Sequence, residues 1–207
     1  MIVIIDYQAG NLTSVVRSFR ALGVEGEVTA DPAVVARATR VVFPGVGAAG
    51  KAMATLRELG MDRALKDAFG RGIPLLGICL GAQIILAHSE ENHNTPCLGL
   101  LPGRTRALPR LPGLKIPHMG WNTVRFLRPH PVFNGLPQAA EYYFVHSYYP
   151  DPAEQAMVLG VTEHGREFPS ALGWRNLVAT QFHPEKSGRF GLTILKNFLA
   201  WDGSYAE

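Results

Sequence analysis

The chain has 207 residues, 47% hydrophobic and 18% charged, which is enough for one sizeable domain with a real core and too few for two comfortable ones. Its formal net charge of +3 with scattered basic residues argues against a nucleic-acid partner, and two cysteines, Cys79 and Cys97, do not make a disulfide framework. The opening MIVIIDYQAGN lacks the charged region of a signal peptide, and no apolar run approaches the ~18 residues of a membrane span, so a cytoplasmic location without membrane association is expected.

Residues 2–6, IVIID, predict a short buried strand. Asn11 then reads as a helix N-cap, and Leu12, Val15, Val16, Phe19 and Leu22 recur at helical spacing as far as Gly23. RVVFPG (40–45) is a second apolar strand, ending in a Pro-Gly break. Residues 51–60 and 62–71 carry helical periodicity, closed by Gly72 and Pro74. IPLLGI (73–78) predicts a third buried strand and LGAQIILAH (80–88) a helix after it. Apolar strands alternating with helices imply a parallel sheet covered on both faces. Prolines and glycines cluster between 96 and 137, and NTVRFL, YYFVHSYY, MVLGVTE, SALGW and LVATQF then read as strands of a mixed or antiparallel region. GLTILKNFLAW (191–201) predicts a closing helix. The expected fold is α/β, a single domain over 1–207 with a central, mainly parallel sheet flanked by helices and an antiparallel strand extension.

Within PLLGICLGAQIIL (74–86), Cys79 falls where strand gives way to helix, between Gly77 and Gly81. A nucleophile on such a turn is forced into strained backbone angles and stands clear of its neighbours. The following helix N-terminus favours the reactive thiolate, and Leu80 N–H is free to face a developing oxyanion. The plain alternative is a small buried thiol. A second stretch, QFHPEKSG (181–188), sets His183 two residues before Glu185, so an extended chain sends both side chains to one face. Pro184 disfavours the α region for the histidine before it. Glu185 can then fix the tautomer while His183 moves protons, although alone the segment also reads as a surface turn. In FPGVGAAG (43–50), Gly45, Gly47 and Gly50 free the backbone to present N–H groups to a ligand or to turn over.

PGVG, GICLGAQ and FHPE, in that order, resemble the class I (triad-type) glutamine amidotransferases across nearly the whole chain. The resemblance implies hydrolysis of the glutamine side-chain amide through a γ-glutamyl thioester on Cys79, giving glutamate and ammonia. PGVGAAG, PHMGWN (117–122), YYFVHSYY (142–149) and QFHPEKSG further resemble the glutaminase subunits of imidazole glycerol phosphate synthases, of histidine biosynthesis. Ala82 and Ala49 depart from the commoner larger residues, which touches packing and leaves the triad intact. The resemblance implies that Gln83, Ser147 and Tyr148 hold glutamine, with Gly45, Val46 and Gly47 along its edge. It places Asn11, Trp121 and Lys186 near the face that meets a cyclase subunit in a heterodimer. Read without the family, Asn11 is a helix cap, Gln83 a polar first-turn residue, Trp121 a core ring and Lys186 a solvated charge.

A partner is expected on independent grounds. Released ammonia needs an acceptor, and this chain has no Walker loop, dinucleotide fingerprint or second domain to hold one. No cofactor is expected. HSEENH (88–93) matches no common metal spacing, and Cys97 has no histidine–acid pair beside it. His118 and His146 fall in segments the family places near the site or interface, and neither is given a catalytic step. A glutaminase serving another acceptor, or a non-catalytic protein of the same fold, are the competing readings. PHMGWN with PGVGAAG weighs against the first and the His183–Glu185 pair against the second.

Overall fold

The computed structural model describes residues 1–8 and 12–205; Asn11, read as a helix cap and interface residue, lies outside the described residues. The first half alternates as expected. It runs β1 (Ile2–Ile5), α1 (Thr13–Ala21), β2 (Glu27–Thr29), α2 (Pro32–Val35), β3 (Arg40–Gly45), α3 (Ala49–Glu58), α4 (Met61–Gly70), β4 (Leu75–Cys79) and α5 (Leu80–Ile84). The second half is strand-rich: β5 (His88–Ser89), β6 (Thr95–Pro96), β7 (Gly103–Ala107), β8 (His118–Phe126), β9 (Ala139–His146), β10 (Tyr148–Pro152), β11 (Val158–Glu163), β12 (Glu167–Trp174) and β13 (Leu177–Thr180). A 3-10 turn, Pro184–Lys186, and α6 (Gly188–Ala200) close the chain.

Among the described residues the main sheet has nine strands, ordered β2-β1-β3-β4-β13-β12-β11-β8-β9. Strands β2, β1, β3, β4 and β13 are mutually parallel, and β12, β11, β8 and β9 continue antiparallel. This is the mainly parallel core with an antiparallel extension that the alternating apolar runs imply. β1 is buried at every position because it feeds both faces. Val3 and Ile5 pack with α3 and α4, while Ile2 and Ile4 pack with α1 and α6. Period-two alternation thus supplies two cores from one uninterrupted apolar string.

Three features depart from expectation. β2 and α2 are additional to the expected elements: β2 is an edge strand facing mostly solvent, and α2, Pro32–Val35, is a single turn too short to show helical periodicity. A second sheet, β10-β7-β5-β6, lies beside α5, and its strands β5, β6 and β7 are short and polar. The helix expected over 80–88 stops at Ile84. The reason is competition for carbonyls: Ile84 O accepts from Leu98 N, Ile85 O from Leu100 N, Leu86 O from Gly99 N and Ala87 O from Cys97 N. A returning segment takes the bonds that another helical turn would need.

Candidate active site

β3 and β4 run side by side, with Gly45 opposite Cys79 at their carboxyl ends. Such strand ends are where open parallel sheets place their ligand crevice. Cys79 has φ 54° and ψ −105°, a backbone state that costs an L-residue energy and persists only where its surroundings enforce it. Enforcement comes from close packing of the turn on β3. A Cβ on Gly81 would lie 2.0 Å from the Phe43 carbonyl oxygen, so only glycine lets α5 start there. The thiol is 5% exposed and sits at a cavity of about 350 Å³, a size suited to a small polar metabolite.

His183 and Glu185 come together through a different geometry from the one expected. His183 is extended (φ −97°, ψ 96°), as a residue before proline should be, but Glu185 lies in the 3-10 turn rather than on a continuing strand. The turn folds the carboxylate back, and Oε1 lies 2.7 Å from His183 Nδ1, with the two side chains only 3% and 5% exposed. Three bonds hold this turn: His183 N–H donates to Tyr143 O, Ser187 Oγ–H to His183 O, and Tyr143 N–H to Ser187 Oγ. His183 Nε2 is buried without a hydrogen-bond partner among the described residues. Burial disfavours the imidazolium, but the Cys79 sulfur and the Glu185 carboxylate outweigh it and hold the His183 pKa above its ordinary value. A thiolate–imidazolium pair backed by a carboxylate is the arrangement that makes a cysteine nucleophilic.

Val46, Gly47, Leu80, Gln83, Ser147 and Tyr148 all line the cavity at Cys79. Gly45 does not: it is the last residue of β3, and a Cβ there would overlap the Tyr7 hydroxyl at 1.8 Å. The Gln83 amide is already committed, with both N–H groups given away, to Tyr148 O (2.8 Å) and Gln181 Oε1 (3.0 Å). It therefore braces the wall of the cavity. Gln181 in turn points Nε2 at Cys79 Sγ, 3.7 Å away.

His118 and His146 form one network. His146 Nδ1 faces Tyr148 O at 2.8 Å, so that nitrogen carries the proton and Nε2 must accept from His118 Nδ1–H, also at 2.8 Å. His118 Nε2 then accepts from Asn122 Nδ2–H at 3.0 Å. Burial above all keeps both rings neutral, with pKa values pushed down to about 3 for His146 and about 4 for His118. The chain of bonds links the backbone of the cavity wall to β8.

On the outer face of β8, Trp121 is 55% and Met119 63% exposed, so the reading of Trp121 as a core ring fails. Trp121 packs edge-on against Tyr143, and the exposed Lys186 sets Nζ 5.8 Å from the same Tyr143 ring. Trp121, Tyr143 and Lys186 thus share one face, beside the triad turn.

Sequence reasoning passed over four residues. Gln181 and Ser187 lie within QFHPEKSG without a role read for either, and only the folded chain brings Gln181 to Cys79 and Tyr143 to Ser187. Tyr7 meets Gly45 only once β1 and β3 pair. Glu91, set aside within HSEENH, is among the described residues the carboxylate that lines the cavity. Its Oε2 accepts from Ala49 N–H at 2.7 Å, and Asn92 Oδ1 accepts from Gly50 N–H at 3.2 Å, so the two cap α3 from another segment. Asn92, His93 and Asn94 all have φ near +60°, the strained turn that brings these caps into place. Among the described residues no group of three or more metal-ligating side chains occurs, and no helix is long and apolar enough to cross a membrane. Cys97 is free and half-buried, and burial pushes its pKa up to about 11, so it stays a thiol.

A strained cysteine at the carboxyl edge of a parallel sheet, backed by a buried histidine–carboxylate pair, is an amide-cleaving design, and comparison with known proteins narrows it. The model of the family "Glutamine amidotransferase class-I" matches residues 3–201, and the chain belongs to that family. Within it the chain resembles subunits of one kind. The chain is 50% identical to the imidazole glycerol phosphate synthase subunit HisH of Moorella thermoacetica, over 95% of this chain and 93% of that one. It is also 50% identical to the HisH subunit of Nitratidesulfovibrio vulgaris, over 97% of each. A crystal structure titled glutamine amidotransferase shares the fold at TM-score 0.77, with 18% identity over 98% of this chain and all of the other.

Proposed function

We propose that this chain, acting as one domain over 1–207, hydrolyses L-glutamine to glutamate and ammonia and passes the ammonia to a cyclase subunit in a cytoplasmic heterodimer that makes imidazole glycerol phosphate. Cys79 Sγ attacks the side-chain amide carbon. The tetrahedral oxyanion is met by Leu80 N–H and, on the opposite wall, by Val46 N–H. His183 gives its proton to the leaving nitrogen, the C–N bond breaks, and ammonia departs from a γ-glutamyl thioester. His183, now neutral, takes a proton from water as that water attacks the thioester. The C–S bond breaks, glutamate leaves, and the imidazolium again faces a thiolate. Glu185 keeps the proton-carrying ring oriented throughout.

The observation that carries this reading is Cys79, strained in its turn at one small cavity, with the buried His183–Glu185 pair close enough for the sulfur to act on the ring. Glu91 suits the α-ammonium of glutamine, and the 146–148 wall with Gln83 behind it suits the remainder. Trp121, Met119 and Lys186, on a solvent-facing surface beside the triad turn, suit the partner. The test is covalent labelling with an electrophilic glutamine analogue, together with glutamate release in the presence of the cyclase subunit. One label per chain on Cys79 is expected. Cys79→Ala should release no glutamate, yet its complex should still turn over with added ammonium salt. Normal glutamate release by Cys79→Ala would overturn the assignment.

A further inference from the structure

The Tyr7 hydroxyl is a buried polar group with nothing to bond among the described residues. Tyr7 is 2% exposed, its ring packs against Phe43 at 5.4 Å between centroids, and its phenol oxygen has no hydrogen-bond partner among the described residues. Native structures rarely leave such a group orphaned, because desolvating it without a partner costs stability. Its position is informative. The hydroxyl occupies the space where a Gly45 side chain would begin, and that same point is 3.2 Å from Leu80 Cβ, at the start of α5. Tyr7 therefore sits beneath the two segments that carry the oxyanion donors, on the side away from glutamine.

The loop above it is built to turn. Val46 and Gly47 line the cavity at Cys79 and also a second cavity of about 130 Å³, whose other walls include Tyr7, Ala48 and Lys51. The two residues form a partition with room on both sides. Gly45 is anchored to Cys79 by strand pairing, and Ala49 is anchored by Glu91, so only 46–48 lie between fixed points. Gly47 has φ +97°, with nothing within 4 Å of where its side chain would be. A trans peptide carries its N–H and C=O on opposite sides. Whenever Val46 N–H faces the glutamine cavity, the Gly45 carbonyl faces the other way, toward the second cavity and the phenol.

We propose that Tyr7 is a positioning residue for glutamine hydrolysis: its hydroxyl donates to the Gly45 carbonyl when the Gly45–Val46 peptide stands with Val46 N–H toward the reacting amide. The hydroxyl has no partner among the described residues, and the Gly45 carbonyl would supply one. Burial, and secondarily negative charge at Cys79, hold the phenol protonated, so it is always available as a donor. Tyr7 touches neither glutamine nor the reacting atoms and acts through Val46 alone.

This inference rests on the glutaminase reading, and Tyr7→Phe in the complex with the cyclase subunit tests the two separately. The substitution keeps the ring and removes only the hydroxyl. We expect kcat for glutamate release to fall about tenfold, as for loss of one buried hydrogen bond, with KM for glutamine within about twofold of wild type. Ammonium-driven turnover should be unchanged. The melting temperature should hold or rise, because an unpaired buried hydroxyl has gone. Equal kcat in the variant and wild type would overturn the role of Tyr7 and leave the glutaminase standing. A fall in kcat accompanied by a lower melting temperature and weaker glutamine binding would mark Tyr7 as ordinary packing, and also overturn it. Absence of glutamate release from the wild-type complex would overturn both.

Discussion

Gly191 is far from any chemistry in sequence logic, yet its replacement by alanine should cripple the triad. It lies in the first turn of α6, and a Cβ there would fall 1.8 Å from the Pro184 carbonyl oxygen and 3.0 Å from Ser187 Cβ. Real Cβ atoms do not approach a carbonyl oxygen within 3.0 Å, so helix and turn must part by more than about 1 Å. The neighbour that has to move is the backbone between His183 and Glu185. It cannot yield alone, because His183 O and Ser187 Oγ are tied to each other and Tyr143 is tied to both residues. Overpacking of this kind costs about 1–3 kcal/mol of stability. A 1 Å misplacement of a proton-transfer group costs on the order of 10² in rate. Gly191→Ala should therefore lower kcat for glutamate release about a hundredfold and leave glutamine binding near wild type, since no cavity wall is touched. The assay is steady-state glutamate release by the complex, with ammonium-driven turnover and a melting curve as controls for folding. A variant with wild-type kcat would show that the turn absorbs the added methyl without moving His183, and would refute the reasoning.

His183→Ala should reduce turnover by about 10²–10⁴, the usual worth of a general acid–base, and Glu185→Ala by less, because the carboxylate orients the ring and takes no proton. Single-turnover rates would compare the two, and an unchanged His183 variant would remove that residue from the mechanism. Three buried histidines, His118, His130 and His146, have pKa values pushed by burial down to about 4, 4 and 3. The unfolded chain binds protons at these sites from pH ~6.5 downward while the folded chain does not, so stability is full above that pH and falls toward pH 4. The loss amounts to about 2 kcal/mol at pH 5 for each independent group. Urea midpoints measured between pH 7 and 5 should decline accordingly, and His130→Gln should flatten the slope. Trp121→Ala should weaken association with the cyclase subunit by at least 2 kcal/mol, roughly thirtyfold in Kd, if the ring is a central anchor. Calorimetric titration giving an unchanged Kd would place the interface elsewhere.

The sequence by itself determined the parallel core and the reactive residues. Short apolar strings such as IVII and LLGIC, bounded by polar or turn residues, read as strands buried on both faces, and a cysteine at a strand end with glycines at 77 and 81 reads as a tight strand-to-helix turn. These are local rules, enforced by residues a few positions apart, and they also carried the His183-Pro184-Glu185 pairing of functions. What only the tertiary structure decided depends on groups distant along the chain. The Glu185 carboxylate reaches His183 through a 3-10 turn held by Tyr143 and Ser187, not through strand alternation. α5 ends where the 97–101 segment competes for its carbonyls, and periodicity cannot see a competitor for hydrogen bonds. Glu91 is a polar loop residue until a left-handed turn brings it to the N-terminus of α3 and the wall of the cavity. Gly45 looks like part of a ligand loop until β1 brings Tyr7 beneath it. In each case the deciding contact is long-range. Backbone propensity and side-chain periodicity act over a turn or a strand, whereas a buried donor, carbonyl or carboxylate takes whichever partner the folded chain brings within about 3 Å.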